Sequence, residues 1–268
     1  MTGDNGNSSG GLRLPPPLTA SDQNSFAFPT MKDRVPVIIC KVVDLLYRDR
    51  INLNLSHPDE LKEAIEEMSR LRYELSTNKP IGPIEDTGSD FQVWNDFLQG
   101  RLTKENGGQA PTWFGTRWLS AECFVYRRLL QSMRKSRDLH DFDFFGKQKK
   151  EAFYGSLRAI SSLLSTRDLW PSSCNKDLSK VQGLLKISLW ANKCDLSISA
   201  GASQNFHHDP LAQIEALQSN LLVDDSPQIA HFLKDNMVID FVMDNAGFEM
   251  ISDLCLADYL TSCQIAQR

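Results

Sequence analysis

The sequence contains no apolar run long enough to cross a bilayer, and it lacks the glycine-rich loops that cradle nucleotide phosphates. Neither G-x-G-x-x-G nor G-x-x-x-x-G-K-[ST] occurs, which argues against a dinucleotide-binding dehydrogenase and a P-loop NTPase. A methyltransferase reading is also left without a glycine-rich cofactor loop. Clustered positive charge is missing too. The 29 Lys and Arg face 34 Asp and Glu, for a net charge of −5, and no basic stripe is available to neutralise a nucleic-acid backbone. The six cysteines (Cys40, Cys123, Cys174, Cys194, Cys255, Cys263) include no C-x-x-C pair and no metal-ligand spacing. A chain of this size does not need a disulfide framework, so a reducing compartment fits better. No apolar core of signal-peptide length opens the chain. These absences lead to the expectation of a soluble intracellular protein, cytoplasmic or nuclear, with neither nucleic acid nor membrane as partner.

What is present is mostly helical pattern. Residues 1–24 are rich in Gly, Ser, Asn and Pro and are expected to form a disordered tail. From there to Asp224, apolar residues recur at helical spacing. Val35, Ile38, Ile39, Val42, Leu45 and Leu46 mark a first helix with Pro36 near its start. Ser56 and Asp59 precede a second, carried by Leu61, Ile65, Met68, Leu71 and Leu75. Phe91, Trp94, Phe97 and Leu98 form a short amphipathic segment that Gly100 is expected to stop. Trp118 to Met133, Phe153 to Leu164 and Val181 to Ile187 supply three further helical faces.

The most informative stretch lies near the other end of the chain. From Val238 to Met243 every residue is apolar except Asp240, which reads as a strand buried on both faces. Asp244 and Asn245 follow at once, then Gly247, then the helical pattern Phe248, Ile251, Leu254. In open α/β sheets, ligands bind beyond the carboxyl ends of strands, so Asp244 and Asn245 are placed for chemistry. Their oxygens suit a hard divalent cation, although either residue would equally well cap the following helix. Glu249 falls one turn into that helix. Asp240 needs a partner if buried and is expected to pair with an Arg or Lys. His207-His208-Asp209 lacks the separated ligands of a zinc site and reads as loop.

The string FVMDNAGFE resembles the metal-site signature of the metal-dependent damage-control phosphatases, and of their eukaryotic sugar-phosphate phosphatase, or acidic residue methyltransferase, subgroup. Four blocks look like that family in its order: SFAFPTMKDRVPVII at 25–39, PTWFGTRWLSAECFVYRRL at 111–129, LLKISLWANKCDLSIS at 184–199 and DDSPQIAHFLKDNMVIDFVMDNAGFE at 224–249. The resemblance implies that Asp244 and Asn245 ligate a divalent metal (Mn2+, Mg2+, Co2+ or Ni2+), that Asp244 is catalytic and that Glu249 contacts substrate. It further implies a third aspartate on a later strand, a Gly-Asp-Leu-Asn-Tyr-Arg-type loop and an Arg-Thr-x-Lys motif, none of which is found here. The chain therefore reads as a C-terminally truncated form.

The expected architecture is a helical domain at 25–224, followed at 225–268 by the first strand-helix unit of an incomplete Rossmann-like α/β domain. The function implied is hydrolysis of small phosphorylated metabolites such as fructose phosphates, impaired where half the site is missing. Methyl transfer from S-adenosylmethionine to protein carboxylates is the alternative attributed to the subgroup, and a non-catalytic truncated product is the third reading. Glu122, close to the apolar face set by Trp118, Ala121 and Val125, is expected to form a buried salt bridge with Arg127 or Arg128.

Overall fold

The structure is a computed structural model that describes residues 15–165, 177–191, 217–233, 238–243 and 245–266. The chain divides by its internal packing into residues 1–144 and 145–268. Asp224, where the sequence places a domain border, lies inside the second unit.

In the first unit, a helical turn at Ala27–Pro29 runs through a π turn, Thr30–Arg34, into α1 (Val35–Asp49). Val35, Ile38, Ile39, Val42 and Leu46 are its buried face, as their spacing predicts. α2 (Pro58–Ser76) buries Leu61, Ala64, Met68, Leu71 and Leu75, with Pro58 at its first position where no amide hydrogen is needed. α2 packs against α1 on one side and against α4 (Trp118–Arg134) on the other. Between them, α3 (Phe91–Phe97) continues through a second π turn, Leu98–Leu102. Gly100 therefore lies inside that turn and does not end the helix. Residues 15–24 also depart from expectation, because Ala20 is buried, Ser21 N–H bonds to Phe114 O at 2.9 Å and Trp118 N–H bonds to Leu18 O at 2.8 Å.

An ionic cluster fixes the loop before α3. The Arg127 side chain, on α4, is only 3% exposed and faces Asp86 at 2.6 Å and Asp90 at 3.0 Å. Arg134 adds a second contact to Asp90 at 3.0 Å. A guanidinium so desolvated needs matched carboxylates with satisfied lone pairs. Hydrogen bonds from Arg127 are the chief reason that Asp86 lies below its ordinary pKa and that Asp90 falls to about 2. Gly88 lets the loop close over the cluster, since a Cβ there would come within 2.2 Å of Arg134 Nη1. The expected partners of Glu122 are thus engaged elsewhere: Arg127 here, and Arg128 at 3.5 Å from Glu74. Glu122 is buried as predicted, but its partner is Arg34 from the first π turn.

The second unit comprises α5 (Gly146–Gly155), α6 (Leu157–Ser165), α7 (Leu178–Ala191), α8 (Ser226–Phe232) and α9 (Phe248–Ser262). The single helical face read over Phe153 to Leu164 is two helices broken at Ser156. The core combines Ile160 and Leu163 of α6, Val181 and Leu184 of α7, and Phe248, Leu256 and Tyr259 of α9. Lys186 on α7 holds Asp224 at 2.8 Å and is the main reason that Asp224 falls to about 2. Cys255 is a buried free thiol and Cys263 is disulfide-bonded, a pairing the scattered cysteines did not suggest.

The strand expected at 238–243 is not formed among the described residues. Its residues do alternate: Ile239 and Phe241 pack on the second unit's core, while Val238 is 69% and Val242 is 91% exposed. One face is covered and the other open, so burial on both faces is corrected. A strand also needs a hydrogen-bonding neighbour, and no described segment lies alongside. Asp240 is exposed, with no ion-pair partner among the described residues, so the predicted pairing is corrected too. The structure thus bears out the helical half of the predicted architecture.

Two outcomes follow for the first unit. Arg127→Met should leave Asp86 buried without a counter-charge and cost about 3–5 kcal/mol, measured by chemical denaturation of the whole chain. The second concerns acid. Asp90 in the fold lies below its unfolded value of about 3.9, so its contribution is complete above about pH 4 and is lost as pH falls toward about 2. Amide signals of α4 should therefore report acid unfolding in that window, with a flatter pH dependence in Asp90→Asn.

Candidate functional site

Gly247 sets the geometry of the DNAGFE segment. Its φ of 76° and ψ of −133° belong to a region that only glycine occupies at low cost, and it stands immediately before α9. Space is not the reason for glycine, because an added Cβ would meet its nearest neighbour, Ala152, at an ordinary 3.7 Å. The reason is the backbone. Beyond this turn α9 begins: Ile251 N–H bonds to Gly247 O at 3.3 Å, and Phe248 is buried in the core.

The turn brings two of the three predicted site residues together. Asn245 Nδ2 donates to Glu249 Oε2 at 2.8 Å, and both side chains are half-buried. Glu249 occupies the first turn of α9, where a negative charge is favoured by the helix dipole. Asp244 lies outside the described residues, as do His207, His208 and Asp209. With its nitrogen on Glu249, the Asn245 carboxamide keeps its oxygen for another partner. That is a hard donor of the kind Mg2+ or Mn2+ takes, so the one described member of the expected ligand pair fits a divalent ion.

A second constellation, which the sequence reading missed, lies in the first unit. His57, Glu60 and Asp138 each place one potential ligand atom within 4.8 Å of the others, a donor set that could hold a divalent metal. No local signal announces it, since His57 and Asp138 are 81 positions apart. The two carboxylates also have structural tasks, whereas His57 Nδ1 is buried without a hydrogen-bond partner, 3.4 Å from Asp138 Oδ2. Asp138 accepts the His57 backbone N–H at 2.7 Å where α2 begins. Glu60 receives Arg137 N–H at 2.7 Å and Arg137 Nε at 2.8 Å, together with Ser136 Oγ at 3.1 Å. The Arg137 backbone amide is the leading reason that Glu60 lies below its ordinary pKa. A cation binding there would compete with a guanidinium already in place.

Residues 30–268 match the family model described as the damage-control phosphatase ARMT1-like domain. The chain is similar to Damage-control phosphatase ARMT1 of Danio rerio, at 35% identity over 96% of this chain and 62% of the relative. The Mus musculus protein of the same name is 37% identical over 93% of this chain and 61% of its own length. The Homo sapiens protein is 35% identical over 94% and 62%. The chain thus spans about three fifths of the length of the curated relatives it matches. With the model covering nearly all of the described fold and the DNAGFE turn inside it, the chain belongs to the ARMT1-like damage-control phosphatase family.

Proposed function

We propose that the chain carries residues of a metal-dependent phosphatase site acting on small phosphorylated metabolites, with fructose phosphates as the substrate class. The observation that carries this reading is the Asn245–Glu249 pair at the start of α9, in a chain whose relatives are named damage-control phosphatases. Asp244 and Asn245 would hold the ion, the first supplying charge and the second a neutral oxygen. That combination leaves positive charge over for a phosphate dianion. A bound divalent ion would polarise a phosphoryl oxygen and neutralise its developing charge. Glu249 holds the carboxamide nitrogen at 2.8 Å and, as the resemblance implies, would contact substrate.

The metal is assigned to this turn and not to His57, Glu60 and Asp138, because the Glu60 carboxylate is already shared between a guanidinium, a backbone amide and a hydroxyl. We read 238–262 as a strand-helix type of unit in the manner of an α/β domain. Its support is the alternation before α9, in which Ile239 and Phe241 pack on the core while Val238 and Val242 are exposed.

The experiment is a substitution at Asp244 or, in a full-length relative, at the aspartate aligned with it. Alanine there should lower metal-dependent phosphate release from fructose 1-phosphate by at least about 10²–10³-fold, with the far-ultraviolet circular dichroism unchanged. Normal turnover at matched metal concentration would show that the ligand assignment is wrong.

A further inference from the structure

We infer that Glu249 is a positioning residue: it fixes which end of the Asn245 carboxamide is offered to the cation. The inference rests on the metal-site reading above and deepens it. A carboxamide has two nearly isosteric ends, an oxygen that accepts and a nitrogen that donates, and its partners decide which way it points. An ionised carboxylate only accepts, so Glu249 can be met only by the nitrogen. The observed contact is that one, Asn245 Nδ2 to Glu249 Oε2 at 2.8 Å. The flipped amide would set two oxygens against each other at the same distance. Once the nitrogen is committed, Oδ1 is the end that remains, and no described residue partners it. A hard cation takes that oxygen and has no use for an amide nitrogen.

The backbone is arranged for this pairing. Asn245 precedes the helix, and the positive φ of Gly247 lets its side chain reach back onto the first turn of α9. Glu249 therefore acts on the ion through Asn245, as hydrogen-bond partners of metal ligands commonly do. Its acceptor atom and its reach matter more than its charge.

The test compares Mn2+ binding by the wild-type chain and by Glu249→Gln, Glu249→Asp, Glu249→Ala and Asp244→Ala, read from the electron paramagnetic resonance signal of free Mn2+. The Asn245 side-chain amide resonances are followed in parallel without metal. Gln keeps an acceptor at the same reach and should bind within a few-fold of wild type. Asp keeps the charge but falls one methylene short, so it should lose about 10–100-fold, as should Ala. The Asn245 amide protons should shift in the Asp and Ala variants and stay near their wild-type positions in Gln. The reverse order, with Asp retained and Gln lost, would make Glu249 a direct ligand or a mere charge and overturn the inference. Unchanged binding in Glu249→Ala alongside loss in Asp244→Ala would sink the inference alone. Equal binding by wild type and Asp244→Ala would sink the metal-site reading, and this inference with it.

Discussion

A single backbone constraint underlies the candidate site. At Gly247 the chain adopts a conformation that side chains with a Cβ resist. On one side of it Ile239 and Phe241 rest on the core, and on the other Phe248 is buried and α9 begins. The turn therefore joins two anchored segments, and Asn245 and Glu249 meet across it. Neither side chain reaches the other by helical spacing alone, because Asn245 is outside the helix. Core packing on both flanks holds a polar pair in place that would contribute little by itself in water.

The first unit is organised by buried charge. Arg127, with Asp86 and Asp90, pins the loop before α3 onto α4. Arg34 with Glu122 ties the first π turn to the same helix. Glu60 accepts from Arg137 and Ser136, linking the start of α2 to the segment after α4. The carboxylates of Glu60 and Asp138 are thus also ties, gathered to satisfy backbone and guanidinium donors, in a triad that could hold a divalent ion. The two metal hypotheses differ in kind. In one set both carboxylates are already in use and only His57 Nδ1 is open, and the other includes a carboxamide oxygen left open.

The helices were legible because each buries one stripe, and apolar residues at helical spacing name the stripe directly. Val35 to Leu46, Leu61 to Leu75 and Trp118 to Met133 are the clearest cases. Long-range pairing was not legible. Glu122 was correctly read as buried, but Arg34 is 88 positions away and nothing local distinguishes it from nearer Arg127. The alternation in Val238 to Met243 was hidden because inward and outward residues are both apolar, so only the structure separates Ile239 and Phe241 from Val238 and Val242. Gly100 misled because a helix can absorb a glycine in a π turn without ending. The DNAGFE turn was readable as turn plus helix, whereas the role of Glu249 needed the conformation of Gly247 first.

The claim at the centre of this account is that a divalent ion belongs at the start of α9 and not at the start of α2. Titrating Mn2+ into the isotope-labelled chain tests this most directly, since the paramagnetic ion broadens the signals nearest to it. Asn245, Gly247 and Phe248 should lose intensity first, while the amides of His57, Glu60 and Asp138 persist. Broadening that begins at His57, Glu60 and Asp138 and spares Asn245 would contradict it.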